Sequence, residues 1–159
     1  NVEEANAADG NAHSEAVAAM AAAEGAGTVI VSAAIEAEVA QLGDAEEKRE
    51  YLETLGLSEA GLDRVIHAGY SLLDLITFFT SGPKESRAWT VAAGTTAAPA
   101  AGKIHTDFER GFIAAETISY ADFIECNGEQ GAKDTGKMRL EGRDYTVQDA
   151  DVILFRFNV

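Results

Sequence analysis

Cysteine is nearly absent from this sequence: Cys126 stands alone among 159 residues, which excludes an internal disulfide and makes a reducing, cytoplasmic setting the expectation. Proline is almost as scarce, with 2 residues beside 15 glycines, and hydrophobic side chains make up 47% of the chain. That composition excludes a proline-rich disordered tail and is enough for one ordinary domain or two small ones. No apolar run approaches the roughly 20 residues that span a bilayer, so no membrane partner is expected. The opening "NVEEANAADG" is acidic where a signal peptide would be basic and then apolar. With no initiating methionine, the chain is expected to begin inside a longer protein.

Positive charge is the scarcest property of the first half. Residues 1–79 carry three Lys or Arg against 15 Asp or Glu, a balance of −12, and residues 80–159 carry nine against 12, a balance of −3. Non-specific nucleic-acid binding needs clustered cations, so DNA is not an expected partner, and any basic patch must lie in the second half. The same shift in charge marks a domain boundary.

What is present begins with helices. "SEAVAAMAAAEG" reads as an alanine-rich helix capped by Ser14 and stopped by Gly25, and "TVIVS" after it as a short buried strand. "AIEAEVAQL" returns to helical spacing, so residues 14–42 have the helix–strand–helix rhythm of a parallel α/β sheet. "DAEEKREYLETLG" has the Asp44–Glu47 capping pattern, and the next helix sets Leu62, Val65, Ile66, Gly69, Leu72 and Leu73 along one stripe. His67 in that helix has no second ligand-type residue at i+4 and reads as a structural histidine near a packed surface. From about residue 76 the segments are short and β-branched or aromatic: "ITFFT", "RAWTV", "GFIAAETI", "MRL", "DYTV", "DVILFRF". "APAAGKIH" is a helical turn among them, "EGRD" reads as a hairpin turn, and the whole describes a compact α+β module with the β-grasp arrangement in front. Alternation in "AWTV" and "ILFRF" assigns Trp89, Phe78, Phe79, Phe155 and Phe157 to the core rather than to a base-stacking platform, with Arg156 facing out.

One stretch could carry chemistry by itself. "IHTDFE" would align His105, Asp107 and Glu109 on one face of a strand, where they could hold a divalent ion or act as an acid–base pair. No further His or Cys stands nearby at ligand spacing, and no nucleophile is legible beside it. The competing readings are a turn or cap built on Thr106 and Asp107, with His105 structural or a surface contact.

The segments "AGY" at 68–70, "FFTSGPKESRAWTV" at 78–91, "GTTAAPAAGKIHTDFERGFIAAE" at 94–116 and "LEGRDYTVQDADVILFRFNV" at 140–159 resemble the C-terminal part of the YchF-type Obg-like ATPases, with its TGS domain. Upstream, the likeness continues through "SAAIEAEVAQL". It implies an α/β remnant of a P-loop nucleotide-binding domain over residues 1–75, followed by an α+β β-grasp (TGS) domain over residues 76–159. Asn1 and Glu4 of "NVEE" then look like the family's altered form of the Asn-Lys-x-Asp base-reading motif, whose change accompanies a preference for ATP. Ser32, Ala33 and Ala34 of "VIVSAA" resemble the loop that completes the base pocket. Without the resemblance they would read as a small-residue turn capped by Ser32.

The resemblance also implies a function and its limits. The family hydrolyses ATP with Mg²⁺ and associates with ribosomes, and its nucleotide state is coupled to ribosome or RNA contact through the TGS domain. This sequence has no G-x-x-x-x-G-K-[ST] loop and no D-x-x-G segment, so tight ATP binding and catalysis are not expected of it alone. Partner contact is expected from Lys84, Arg87, Lys103, His105, Arg110, Lys137, Arg139 and Arg143. Two departures stand out: Ala92-Ala93 replace a basic pair usual in the family, and "TTAAPAAG" shifts a proline by one residue. The rival expectation is a non-catalytic module that binds basic ribosomal proteins through its surplus acid.

Overall fold

The computed structural model describes residues 1–158, and its contacts divide it into two compact units, Asn1–Leu72 and a second from Leu73 onward. The division falls three residues before the 75/76 boundary expected from the sequence.

The first unit is helical. After a 3₁₀ turn at Glu4–Asn6 come α1 (Ala12–Glu24), α2 (Ala33–Val39), α3 (Ala45–Thr54) and α4 (Gly61–Leu72). Asn11, not Ser14, caps α1. Its side chain accepts from the His13 and Ser14 amides at 3.0 Å, while Ser14 Oγ accepts from the Asn11 amide at 2.7 Å. Ser14 is thus the N3 member of a capping box, in the first turn, and Gly25, in the left-handed conformation, ends the helix as expected. Ala7, Ile35, Leu52 and Leu57 form the small core, with Val39, Tyr51, Leu55 and Ala60 against it. A carboxylate from α2 caps α4: Glu36 accepts from the Gly61 amide at 2.7 Å and the Leu62 amide at 3.1 Å. Gly61 is required at this junction because a Cβ there would lie 2.9 Å from Val31 Cγ1.

The buried strand expected at "TVIVS" is corrected here. Residues 26–32 form no ladder among the described residues; the Val2 amide bonds Val31 O at 2.8 Å, and the ends are tied to the flanking helices by Ala26 N–H to Ala21 O at 2.8 Å and Glu36 N–H to Ser32 O at 3.1 Å. A strand is defined by its neighbours, and β-branched composition supplies only the willingness to pair. The α/β character expected for residues 1–75 is therefore absent as a sheet in this unit.

The second unit is a five-stranded mixed sheet in the order β2-β1-β5-β3-β4. Its strands are β1 (Leu75–Ser81), β2 (Ser86–Ala92), β3 (Phe112–Ser119), β4 (Arg139–Glu141) and β5 (Asp151–Phe157). β1 and β2 form an antiparallel hairpin from Leu75↔Ala92 to Ser81↔Ser86, and β5 runs parallel to β1 and antiparallel to β3. Four helices lie between the strands: α5 (Ala97–Ile104), α6 (Thr106–Arg110), α7 (Tyr120–Glu125) and α8 (Glu129–Asp134). The alanines of α5 (Ala97, Ala100, Ala101) pack on Phe78, Val91, Ala115, Val147, Ile153 and Phe155. Small residues on the helix bring it close to the sheet, and Phe78 meets Phe155 edge to face at 5.9 Å. Phe78 and Phe155 are core residues as expected, whereas Phe157 is exposed and stacks on Phe108 at 3.8 Å. "EGRD" does turn, with the Tyr145 amide bonding Gly142 O at 3.2 Å, but it closes no hairpin. β4 pairs with β3, and the segment after the turn instead bridges Thr96↔Thr146 at the start of α5.

Candidate functional site

Two groups of residues were singled out for function, and the structure treats them differently. The first is at the chain start. Asn1 Oδ1 accepts from the Ala33 amide at 2.9 Å, so the side chain closes a contact across 32 positions and braces the turn that opens α2. Ser32 occupies the N-cap position of α2 but makes no side-chain cap bond; the residue is 2% exposed and its buried hydroxyl has no partner. Asn1 supplies the acceptor that Ser32 withholds. Ala33 and Ala34 are exposed, leaving the backbone at the mouth of the turn open to approach. Glu4 lies in the 3₁₀ turn with its side chain exposed, and no hydrogen bond joins it to residues 32–34 among the described residues. Beside Asn1 is a cleft of about 300 Å³ lined by residues that include Val2, Asn11, His13, Val17 and Ile30.

The second group belongs to the sheet unit. "IHTDFE" runs from the end of α5 through an extended His105 into α6 and forms no strand, so the shared strand face expected for His105, Asp107 and Glu109 does not exist. His105 ends α5 and caps α6: its Nδ1 accepts from the Asp107 amide at 3.2 Å. Nδ1 also lies 3.5 Å from the Asp107 carboxylate. Asp107 also lies 3.7 Å from Arg110. Glu109 folds back over Gly102, where an added Cβ would fall 2.2 Å from its Oε2. The three polar side chains therefore serve three separate local tasks. Among the described residues no group of three His, Cys, Asp or Glu could hold a metal.

Of the cations named for partner contact, several are committed to this fold. Lys137 pairs with Asp122 at 2.9 Å, which, after the Ser119 hydroxyl, holds that carboxyl below its usual range. Arg139 binds Glu141 at 3.0 Å and the Tyr145 hydroxyl at 2.9 Å, and Tyr145 in turn donates to the buried Asp151 at 2.7 Å. Burial and that Asp151 bond push the Tyr145 phenol up to about 12. Arg143 donates to Glu109 O at 3.0 Å and lies over Phe112, joining the "EGRD" turn to α6. Arg87 lies over Trp89 at 5.3 Å and 3.7 Å from Glu85. Lys84, Lys103 and Arg110 project from the surface. The sequence did not reveal the Arg139–Tyr145–Asp151 network, because its members are spread over 13 positions in three different local settings. His67 is corrected too: it is exposed and sits 3.1 Å from Glu59, not against a packed surface.

The comparisons decide the family. The model YchF-GTPase_C, described as "Protein of unknown function (DUF933)", matches residues 75–158. The chain belongs to the YchF family. A Haemophilus influenzae relative described as ribosome-binding ATPase YchF is 61% identical over 151 residues, covering 95% of this chain and 41% of that protein. A Bacillus subtilis relative of the same description is 53% identical over 161 residues, covering 100% of this chain and 44% of that protein. The chain thus spans less than half the length of these YchF relatives. Among solved structures, the Schizosaccharomyces pombe YchF GTPase matches with a TM-score of 0.77 at 30% identity, covering 92% of this chain and 39% of that one. A GTP-binding protein of Pyrococcus horikoshii shares the fold, with a TM-score of 0.64 at 20% identity. The mixed α/β sheet described above is therefore that of YchF GTPase structures. No helix among the described residues is long and apolar enough to cross a membrane.

Proposed function

We propose that this chain supplies the base-side elements and the partner-contact module of a ribosome-associated, ATP-hydrolysing Obg-like protein of the cytoplasm. The observation that carries the nucleotide half is the Asn1–Ala33 bond, because it preorganises a small-residue turn with a free buried hydroxyl beside it. Residues Asn1, Glu4, Ser32, Ala33 and Ala34 are the ones assigned to the base of ATP: Ser32 Oγ is an enclosed, unused polar atom, and the exposed Ala33 and Ala34 put no long side chain before the turn. Bound ATP with Mg²⁺ would supply the phosphoryl group for transfer, and nothing in this chain corresponds to a phosphate cradle. What these residues do is orient a purine ring and exclude ill-fitting ones.

The sheet unit, in this reading, is a TGS-type β-grasp. The strand order β2-β1-β5-β3-β4, parallel pairing of the first and last strands, and α5 across one face support it. Relatives of this chain are described as ribosome-binding, and Lys84, Lys103 and Arg110, with Arg87 and Arg143 at hand, offer cations to ribosomal RNA. Co-sedimentation with ribosomes across a salt series tests the reading, repeated with Arg110→Glu. Binding that weakens with salt and is lost in the charge-reversed variant is expected. A second reading, contact with basic ribosomal proteins, is favoured by the net charge of −15 and predicts ribosome binding that Arg110→Glu leaves unchanged.

A further inference from the structure

Cations are rare in the helical unit: residues 1–72 contain Lys48, Arg49 and Arg64 against 14 carboxylates. Arg49 pairs with Glu46 and Glu53 on the exposed surface of α3. Arg64, in the first turn of α4, behaves differently. It is half-buried, its Nε is enclosed without a hydrogen-bond partner, and no carboxylate pairs with it among the described residues. Leaving that donor dry and unbonded is costly, and with Nε closed off it is the terminal guanidinium nitrogens that are left to meet an incoming group.

Space for such a group adjoins it. Arg64 lines a cleft of about 150 Å³ with Gly56, Ser58 and Glu59. It also lines a wider, open one of about 350 Å³ with Val29, Ile30 and His67. Glu59, the one acidic residue common to both, sits 3.1 Å from His67 Nδ1 and forms no ion pair with Arg64. The smaller cleft suits a single tetrahedral or planar oxyanion. A guanidinium fork pairs two-point with such a group, and the Ser58 hydroxyl at the rim can add a third donor.

We propose that the Arg64 cleft binds one oxyanion, the chemistry shared by a phosphate group and by a carboxylate of a protein segment. The site lies outside Asn1 and residues 32–34 and does not depend on the nucleotide reading. The test is a titration of the ¹⁵N-labelled 159-residue chain with sodium phosphate and, separately, sodium acetate, with sodium chloride holding ionic strength constant. The Arg64 Nε–Hε resonance is expected to shift saturably with a midpoint at least tenfold below any response of the exposed Arg49. Arg64→Lys should abolish the saturable change at neighbouring amides, and Ser58→Ala should weaken it at least threefold in a site that keeps its arginine. Saturation by phosphate alone assigns a phosphate source, by acetate alone a protein carboxylate, and by both a general oxyanion site. Linear, chloride-like shifts with both anions, or an unchanged midpoint in Arg64→Lys, would overturn the proposal.

Discussion

The Asn1 side chain holds the Ala33 amide at 2.9 Å, and that amide is an orphan donor of a helix start with no cap from Ser32. Asn1→Ala should therefore cost about 0.5–1.5 kcal/mol and speed Ala33 amide exchange, measurable by urea denaturation and hydrogen exchange. Glu116 is 8% exposed and answered by Arg156 from the neighbouring strand. Arg156→Ala leaves a nearly buried carboxylate without its cation, and a loss of about 1–3 kcal/mol in denaturant stability is the expected outcome. Tyr145, held up to about 12 by burial and Asp151, gives a pH signature. A tyrosine in the unfolded chain titrates near 10. The stability linked to the protonated phenol is thus complete below pH 10 and is lost as pH rises from there through 12. In Asp151→Asn the Tyr145 ring resonances should titrate at a lower pH than in the parent chain.

Elements were legible wherever local chemistry sets them. The helix over 61–72 follows from its 3.6-residue stripe, but the stripe itself is exposed, with Leu62, Val65, Ile66 and Leu72 open to solvent. Periodicity tells which face is apolar and leaves unstated what covers it. The paired variant Leu62→Glu, Ile66→Glu should leave the unfolding midpoint within about 0.5 kcal/mol while reducing hydrophobic-dye binding, since exposed positions contribute little. The α6–β3 junction is the opposite case. Gly111 faces the C-terminal backbone so closely that a Cβ would lie 2.0 Å from Asn158 O. Gly111→Ala must push that backbone away, and a thermal-unfolding loss of about 1–3 kcal/mol is expected. The "TVIVS" run shows the limit again: the residues favour a strand, and one bond to Val2 is all the pairing they find.

For the whole molecule, the sheet's order and its parallel β1–β5 pair depend on contacts between residues 70 or more positions apart, such as Phe79↔Val152. Loop-closure entropy opposes such pairings until the α5 alanines and the Phe78–Phe155 core repay it. The chain as a whole lacks a phosphate loop, so no ATP turnover above background is expected in a phosphate-release assay.

Sequence by itself determined the YchF likeness, through the motifs at 68–70, 78–91, 94–116 and 140–159, together with the run of helices before the strands and the lack of a G-x-x-x-x-G-K-[ST] segment. Those properties are written in neighbouring residues. Tertiary structure alone decided that Glu109 turns away from His105 and Asp107 to lie over Gly102, and that Asn1 caps a helix 32 positions away. It also decided that the Nε of Arg64 is enclosed without an acceptor. Each of these depends on which distant groups meet in space, and hydrogen bonds and burial are properties of that meeting rather than of the residues one by one.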